Sequence, residues 1–79
     1  MTVFPREAYR MRDLDEVRGD LQHIEEAGGG VLALIGKIPV ILPPELEPHL
    51  REMVGRKCAI LRLDGKYHVR DLEAEDAAR

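Results

Sequence analysis

From Asp13 to Ala27, the apolar residues Leu14, Val17, Leu21 and Ile24 recur at spacings of three and four, the period that lines one face of a helix. Asp15, Glu16, Arg18, Asp20, Gln22 and Glu25 fall between them. The pattern predicts an amphipathic helix over 13–27, with Asp13 at the N-cap, Glu16 three residues later as in a capping box, and Gly28 as its stop. Gly28-Gly29-Gly30 then reads as a flexible joint, since glycine opens backbone conformations that other residues avoid. Val31 to Leu42, VLALIGKIPVIL, is patterned differently, with apolar residues at nearly every position. It reads as two strands around a Gly36-Lys37 turn of type II′, glycine first. Pro39 lacks an amide donor and places an edge or bulge in the second strand. A half-buried strand alternates apolar and polar residues, so a hairpin apolar on both faces needs cover on both sides. A chain this small buries only about 60 % of its unfolded surface. The expectation is that a second copy, or another partner, completes the cover.

Pro43-Pro44 ends the second strand, and Leu46, Leu50, Met53 and Val54 form another helical stripe closed by Gly55. Proline fits only the first helical turn, so the regular helix is expected to start near Glu47-Pro48, with Pro43 to Leu46 as a lead-in turn. Cys58 to Leu63 and Lys66 to Leu72 flank Asp64-Gly65, the signature of a type I′ hairpin. In that register Leu63 faces Lys66 and Ile60 faces Val69. One face then carries Cys58, Ile60, Tyr67 and Val69, and the other Lys66, His68 and Arg70 beside Leu61 and Leu63. Residues 1–12 read as an irregular arm or short strand, 13–72 as a single domain, and 73–79 as a disordered tail. The fold class expected is α+β: two β-hairpins and two short helices in the order α-ββ-α-ββ.

Composition narrows the functional classes. The net charge of −3 is unevenly spread: residues 1–30 carry four Arg against seven acids, and residues 31–71 seven Lys or Arg against five. The hairpin-rich part is slightly basic. Only Phe4, Tyr9 and Tyr67 are aromatic, which removes the stacking platforms of single-strand nucleic-acid binders. A lone cysteine, Cys58, permits no internal disulfide and no multi-cysteine zinc site, and suggests a reducing, cytoplasmic setting. Neither a signal-peptide core nor an apolar run of about 20 residues is present, so no membrane is expected as a partner.

Candidate chemistry is sparse. The segment Gly30 to Lys37 has one residue too many for a phosphate loop and is followed by Ile38 in place of Ser or Thr. His23, His49 and His68 lie on separate elements, so no metal site is expected. Cys58 begins a strand on its apolar face, where a free cysteine acts as a small hydrophobe, and no base or oxyanion hole is identifiable beside it. An enzyme is not expected, nor a cofactor. The remaining signal is basic: Lys66, His68 and Arg70 alternate along one strand about 6.6 Å apart, with Arg56, Lys57 and Arg62 nearby in sequence. Such spacing suits either a phosphate backbone or a solvated edge that discourages aggregation.

The order GKIPVILPPEL, a short helix ending at Gly55, then CAILRLDGKYHVRDL resembles the AbrB and MazE type of swapped-hairpin DNA-binding domain over Val31 to Leu72. The resemblance implies an intertwined homodimer in which hairpins from two chains form one small barrel. The link between helix and third strand departs from the family's pattern by being shortened to Gly55-Arg56-Lys57. The family's basic residues lie largely around the first hairpin, where this chain offers Lys37.

Two functions follow as expectations. One is a regulatory DNA-binding domain using Lys37, Arg56, Lys57, Arg62, Lys66 and Arg70. The other is a protein-interaction module that presents Val17, Leu21 and Ile24 of the first helix, or the apolar hairpin, to another protein. A homodimer suits both.

Overall fold

A computed structural model describes residues 8–77, and they are mostly β. Strands β1 (Tyr9–Arg10), β2 (Glu16–Ala27), β3 (Gly30–Ile35) and β4 (Ile38–Leu42) are followed by a 3-10 turn at Pro44–Leu46 and helix α1 (Glu47–Arg51). Strands β5 (Lys57–Leu63) and β6 (Lys66–Asp71) then lead into helix α2 (Leu72–Ala77). All six strands share one curled, half-barrel sheet in the order β1-β4-β3-β2-β5-β6.

The first expected helix is a strand, and the reason is a single inserted residue. β2 is the central strand: Glu16 to Asp20 pair with β5, and Leu21 to Ala27 pair with β3. The register jumps between Leu21, opposite Ile35, and His23, opposite Leu34, so Gln22 is an extra residue, a β-bulge. Before the bulge Val17, Gly19 and Leu21 alternate onto one face; after it the inward phase resumes at Ile24. Strand alternation plus one inserted residue thus reproduces the four-then-three spacing of a helix. The Gln22 side chain donates to the Gly36 carbonyl at 2.9 Å, tying the bulge to the next turn. The backbone of β2 is used on both sides: Gly36 N–H donates to Asp20 O, Leu21 N–H to Arg56 O, and Gly55 N–H to Leu21 O. Two flanking partners outweigh the modest helical preference of this segment.

The triple glycine is a turn, not a swinging joint. Gly28 and Gly29 have φ of +48° and +90° between the paired Ala27 and Gly30, the type I′ geometry that glycine favours. In the β3–β4 turn Gly36 has φ +61° and Lys37 is not left-handed, as type II′ requires. Asp64 and Gly65 are both left-handed, giving the type I′ turn expected between β5 and β6. The register there pairs Leu63 with Lys66 and Ile60 with Val69, as the sequence indicates.

The inner face of the sheet holds the core. Val17, Leu21, Ile24, Val31, Ala33, Ile35, Val40, Leu42, Cys58 and Ile60 are buried together. The 3-10 turn packs on β3 and α1 on β2, adding Leu50 and Met53 to the core. The second stripe therefore holds with two corrections: the helix ends at Arg51, and Val54 beyond it is exposed. The lead-in turn and the start at Glu47 with Pro48 in the first turn match the sequence reading.

A lone chain does enclose the inner face of the apolar hairpin, against expectation. Val31, Ala33, Ile35, Val40 and Leu42 are at most 1 % exposed. The outer face is covered less evenly: Leu32 is 4 % exposed, while Leu34, Pro39 and Ile41 are half-buried.

Both ends of the described chain are tied down. Asp71 accepts hydrogen bonds from Glu73 N–H and Ala74 N–H, each at 3.1 Å, a helix cap. Hence α2 runs to Ala77 where a disordered tail was expected from residue 73; residues 1–7 of the expected arm, and 78–79, lie outside the described part. At the other end Arg12 and Asp15 close a turn whose third residue, Leu14, has φ +74°. Asp15 accepts from Tyr9 Oη and Arg12 N–H, which hold its carboxyl below the usual range. Asp13 accepts from Gly65 N–H at 2.9 Å, and Arg62 donates to Met11 O at 2.6 Å. The N-terminal arm is thereby stitched to the last hairpin.

Candidate functional site

The basic residues read from the sequence are divided by the fold. Alternation places Lys57 on the outer face of β5 and Lys66, His68 and Arg70 on the outer face of β6. In register, Arg18, Ala59 and Arg70 form one row across β2, β5 and β6; Glu16, Leu61 and His68 form the next. Ala59 is 1 % exposed, as a small residue between two long arginines should be. Lys57 faces Asp20. Lys37 sits on the β3–β4 turn, across β2 from Lys57, because the neighbouring Gly36 bonds Asp20.

Two of the six cations are committed elsewhere. Arg56 Nε is 2.8 Å from Asp71 Oδ2. The Asp71 carboxyl lies below the usual range, first through its bond to Ala74 N–H and then through the Arg56 charge. Arg62 shares the inward parity of Cys58 and Ile60, not the outer face. Its guanidinium stands over the Tyr67 ring at 5.7 Å and its Nε is 3.3 Å from Asp13 Oδ1.

One outer-face cation, Arg18, was hidden by the helical reading of β2. Strand alternation of Glu16, Arg18 and Asp20 would have revealed it. Its exposed ion pair with Glu16 at 2.8 Å contributes little stability, as surface pairs do, but it lowers the net positive charge of the row. The outer face of β2, β5 and β6 thus carries Arg18, Lys57, Lys66 and Arg70 against Glu16 and Asp20.

The expected protein-binding stripe does not face outward. Val17, Leu21 and Ile24 are 6 %, 0 % and 8 % exposed because β2 turns them into the core. Apolar surface lies instead on the outer face of β3 and β4. Leu34, Pro39 and Ile41 are half-buried there around Leu32, which is 4 % exposed; Ile38, 47 % exposed, lies opposite Ile35 with the parity of Val40 and Leu42, at the rim of the inner face. His23 and Glu25 of β2 border this strip on one side, and Arg10 of β1 on the other.

The candidates for covalent chemistry remain isolated. Cys58 is fully buried, and burial, aided by the Asp71 and Asp20 charges, pushes its thiol up to about 11. At neutral pH it is a packing residue. His49 lies on α1, His68 on β6 and His23 on β2, and no three metal-ligating side chains cluster among the described residues. No described helix is long and apolar enough to cross a membrane. The sequence matches no protein-family model, no curated protein and no solved structure.

Proposed function

We propose that this chain is a non-enzymatic binding domain that works by protein association, first with a second copy of itself, through the outer face of β3 and β4. The observation that carries this reading is the strip of Leu34, Pro39 and Ile41 around Leu32, on a face turned away from the core. The solvent face of an antiparallel sheet is normally polar, and an apolar strip with a polar rim marks an interaction surface. A face-to-face dimer needs no exchange of hairpins, unlike the intertwined one that the AbrB and MazE resemblance implies, because the inner face is already enclosed.

The strand order supports the same surface by fold analogy alone. With β1 set aside, β4-β3-β2-β5-β6 with α1 between β4 and β5 is the connectivity of an OB-type Greek-key barrel, left open between β4 and β6. That architecture binds ligands on the face of its second and third strands, which are β3 and β4 here. Neither strand bears an aromatic ring, so a nucleic-acid strand would have nothing to stack on. An apolar protein surface fits better.

Light scattering from about 1 µM to about 1 mM protein tests the reading, a range that spans association free energies of about −8 to −4 kcal/mol. The expected result is a dimer that Ile41→Lys converts to a folded monomer. A monomer throughout that range overturns it.

A second reading, DNA binding, is favoured by one observation: Lys57, Lys66, Arg70 and Arg18 share an outward face. Four phosphate contacts would give a log–log salt slope of about −3.6. Titration of a duplex at rising salt should show that slope, reduced by about 1.8 in a Lys66→Glu, Arg70→Glu double variant; no binding at low salt removes this reading.

A further inference from the structure

The half-barrel does not close between β1 and β6, and beside the open seam lies a cleft of about 360 Å³, within the size range of small-molecule sites. Four parts of the chain wall it. Arg10 and Met11 come from β1 and the residue after it, Arg62 and Tyr67 from the inner side of the β5–β6 hairpin, and Gly28 and Gly29 from the β2–β3 turn. The far ends of β4 and its following proline complete an apolar side.

The charge of this lining is unlike that of the molecule. Acids outnumber bases in the chain, 15 to 12, yet the cleft is lined by two guanidinium groups and no carboxylate. Arg62 is held in place: it donates to Met11 O, stands over Tyr67 and has Asp13 at 3.3 Å, outside the lining. The buried Nε is the atom turned to Asp13, at ion-pair distance but without hydrogen-bond geometry. Arg10 is exposed and opposite it the left-handed Gly28 and Gly29 present a side-chain-free backbone, with open space where a Cβ would stand. A fixed arginine, a second arginine, a phenol and accessible peptide groups in one concavity are the donor set that recognises an oxyanion.

We propose that this seam cleft binds a small organic anion, its phosphate or carboxylate group held between Arg10 and Arg62 and its body resting on Met11 and Ile41. The volume, about 360 Å³, exceeds what a bare anion needs. The apolar side gives the remainder of the ligand somewhere to bury. This inference does not rest on the association surface, although Ile41 and Arg10 border both; Arg10→Gln tells them apart, because it leaves the apolar strip in place.

The test is an amide-resolved NMR titration of the whole chain with phenyl phosphate, benzoate and inorganic phosphate as separate probes. Saturable shifts confined to the amides of Gly28, Gly29, Met11 and Tyr67 are expected with at least one of the two aromatic probes, and weaker ones with inorganic phosphate. The ratio of the phenyl phosphate and benzoate affinities identifies which anion the site prefers. Arg10→Gln should weaken binding about tenfold, the usual effect of losing one charge-assisted hydrogen bond, without altering the thermal midpoint. Arg62→Gln should weaken it as well, and because Arg62 also holds the arm, Arg10→Gln is the deciding variant. No saturable shift up to about 10 mM of any probe, an affinity near the 1 mM reference of about −4 kcal/mol being the least a formed site should give, overturns the proposal. So does an affinity unchanged by Arg10→Gln.

Discussion

Leu21→Asp is expected to abolish the folded state. Leu21 is fully buried at the point where β2 passes from β5 to β3, and its backbone N–H and C=O bond Arg56 and Gly55 across the same residue. Removing the side chain alone, as in Leu21→Ala, should cost about 2–5 kcal/mol. The whole domain, at 79 residues, has about 4–12 kcal/mol to lose. An aspartate adds the cost of placing a carboxylate among Ile35, Ile24 and the α1 side chains of the core with no partner, so it neutralises or expels itself and the fold with it. Circular dichroism should show no cooperative thermal transition for Leu21→Asp and a lowered one for Leu21→Ala. An unchanged midpoint in either variant would mean that Leu21 faces solvent and that β2 is misplaced.

Gly30→Ala should destabilise by about 1–3 kcal/mol, the range for forcing extra atoms into a packed site. The cause is local: a Cβ at Gly30 would stand 2.8 Å from the Leu42 carbonyl oxygen, and a backbone oxygen in the adjoining strand cannot rotate away. The strands must separate where the hairpin is most tightly buried, with Val31 opposite Leu42. For a domain of this size the thermal midpoint should fall by roughly 4–8 °C per kcal/mol. Gly36→Ala is the contrast, since it meets nothing within 4 Å and its cost comes from the left-handed φ alone, about 1–2 kcal/mol. A Gly30→Ala protein as stable as the parent would show that β3 and β4 are not spaced as described.

The sequence discloses elements whose signals are local and hides those set by distant partners. The Asp64-Gly65 and Gly36-Lys37 turns, the register of Ile60 with Val69, and the lead-in at Pro43 to Leu46 are written in a few neighbouring residues, and each is found where expected. β2 was illegible because Gln22 shifts its phase by one, so Val17, Leu21 and Ile24 imitate a helix; only the pairing with β3 and β5 distinguishes the two. Gly19 was the overlooked clue. Its φ of +154° and its approach to Ile35 and Gly36 suit a strand interior that passes close to another backbone. The same misreading assigned the core residues of β2 to a binding surface and concealed Arg18 on the outer row. Arg62 was placed with the outward cations although its parity with Cys58 and Ile60 was available from the hairpin register. Its bond to Met11, 51 positions away, could not be read from neighbours.

The stitching of Met11 and Asp13 to Arg62 and Gly65, and the two-sided role of β2, bear on how the chain reaches this state. A nascent polypeptide can form the β2–β3–β4 meander early, but β2 lacks half its ladder and the arm lacks its anchor until the last hairpin emerges from the ribosome. Completion is therefore governed by contacts of high sequence separation that slow folding. In the interval the water-averse β3–β4 segment stands partly uncovered, the stage at which such chains aggregate or recruit chaperones.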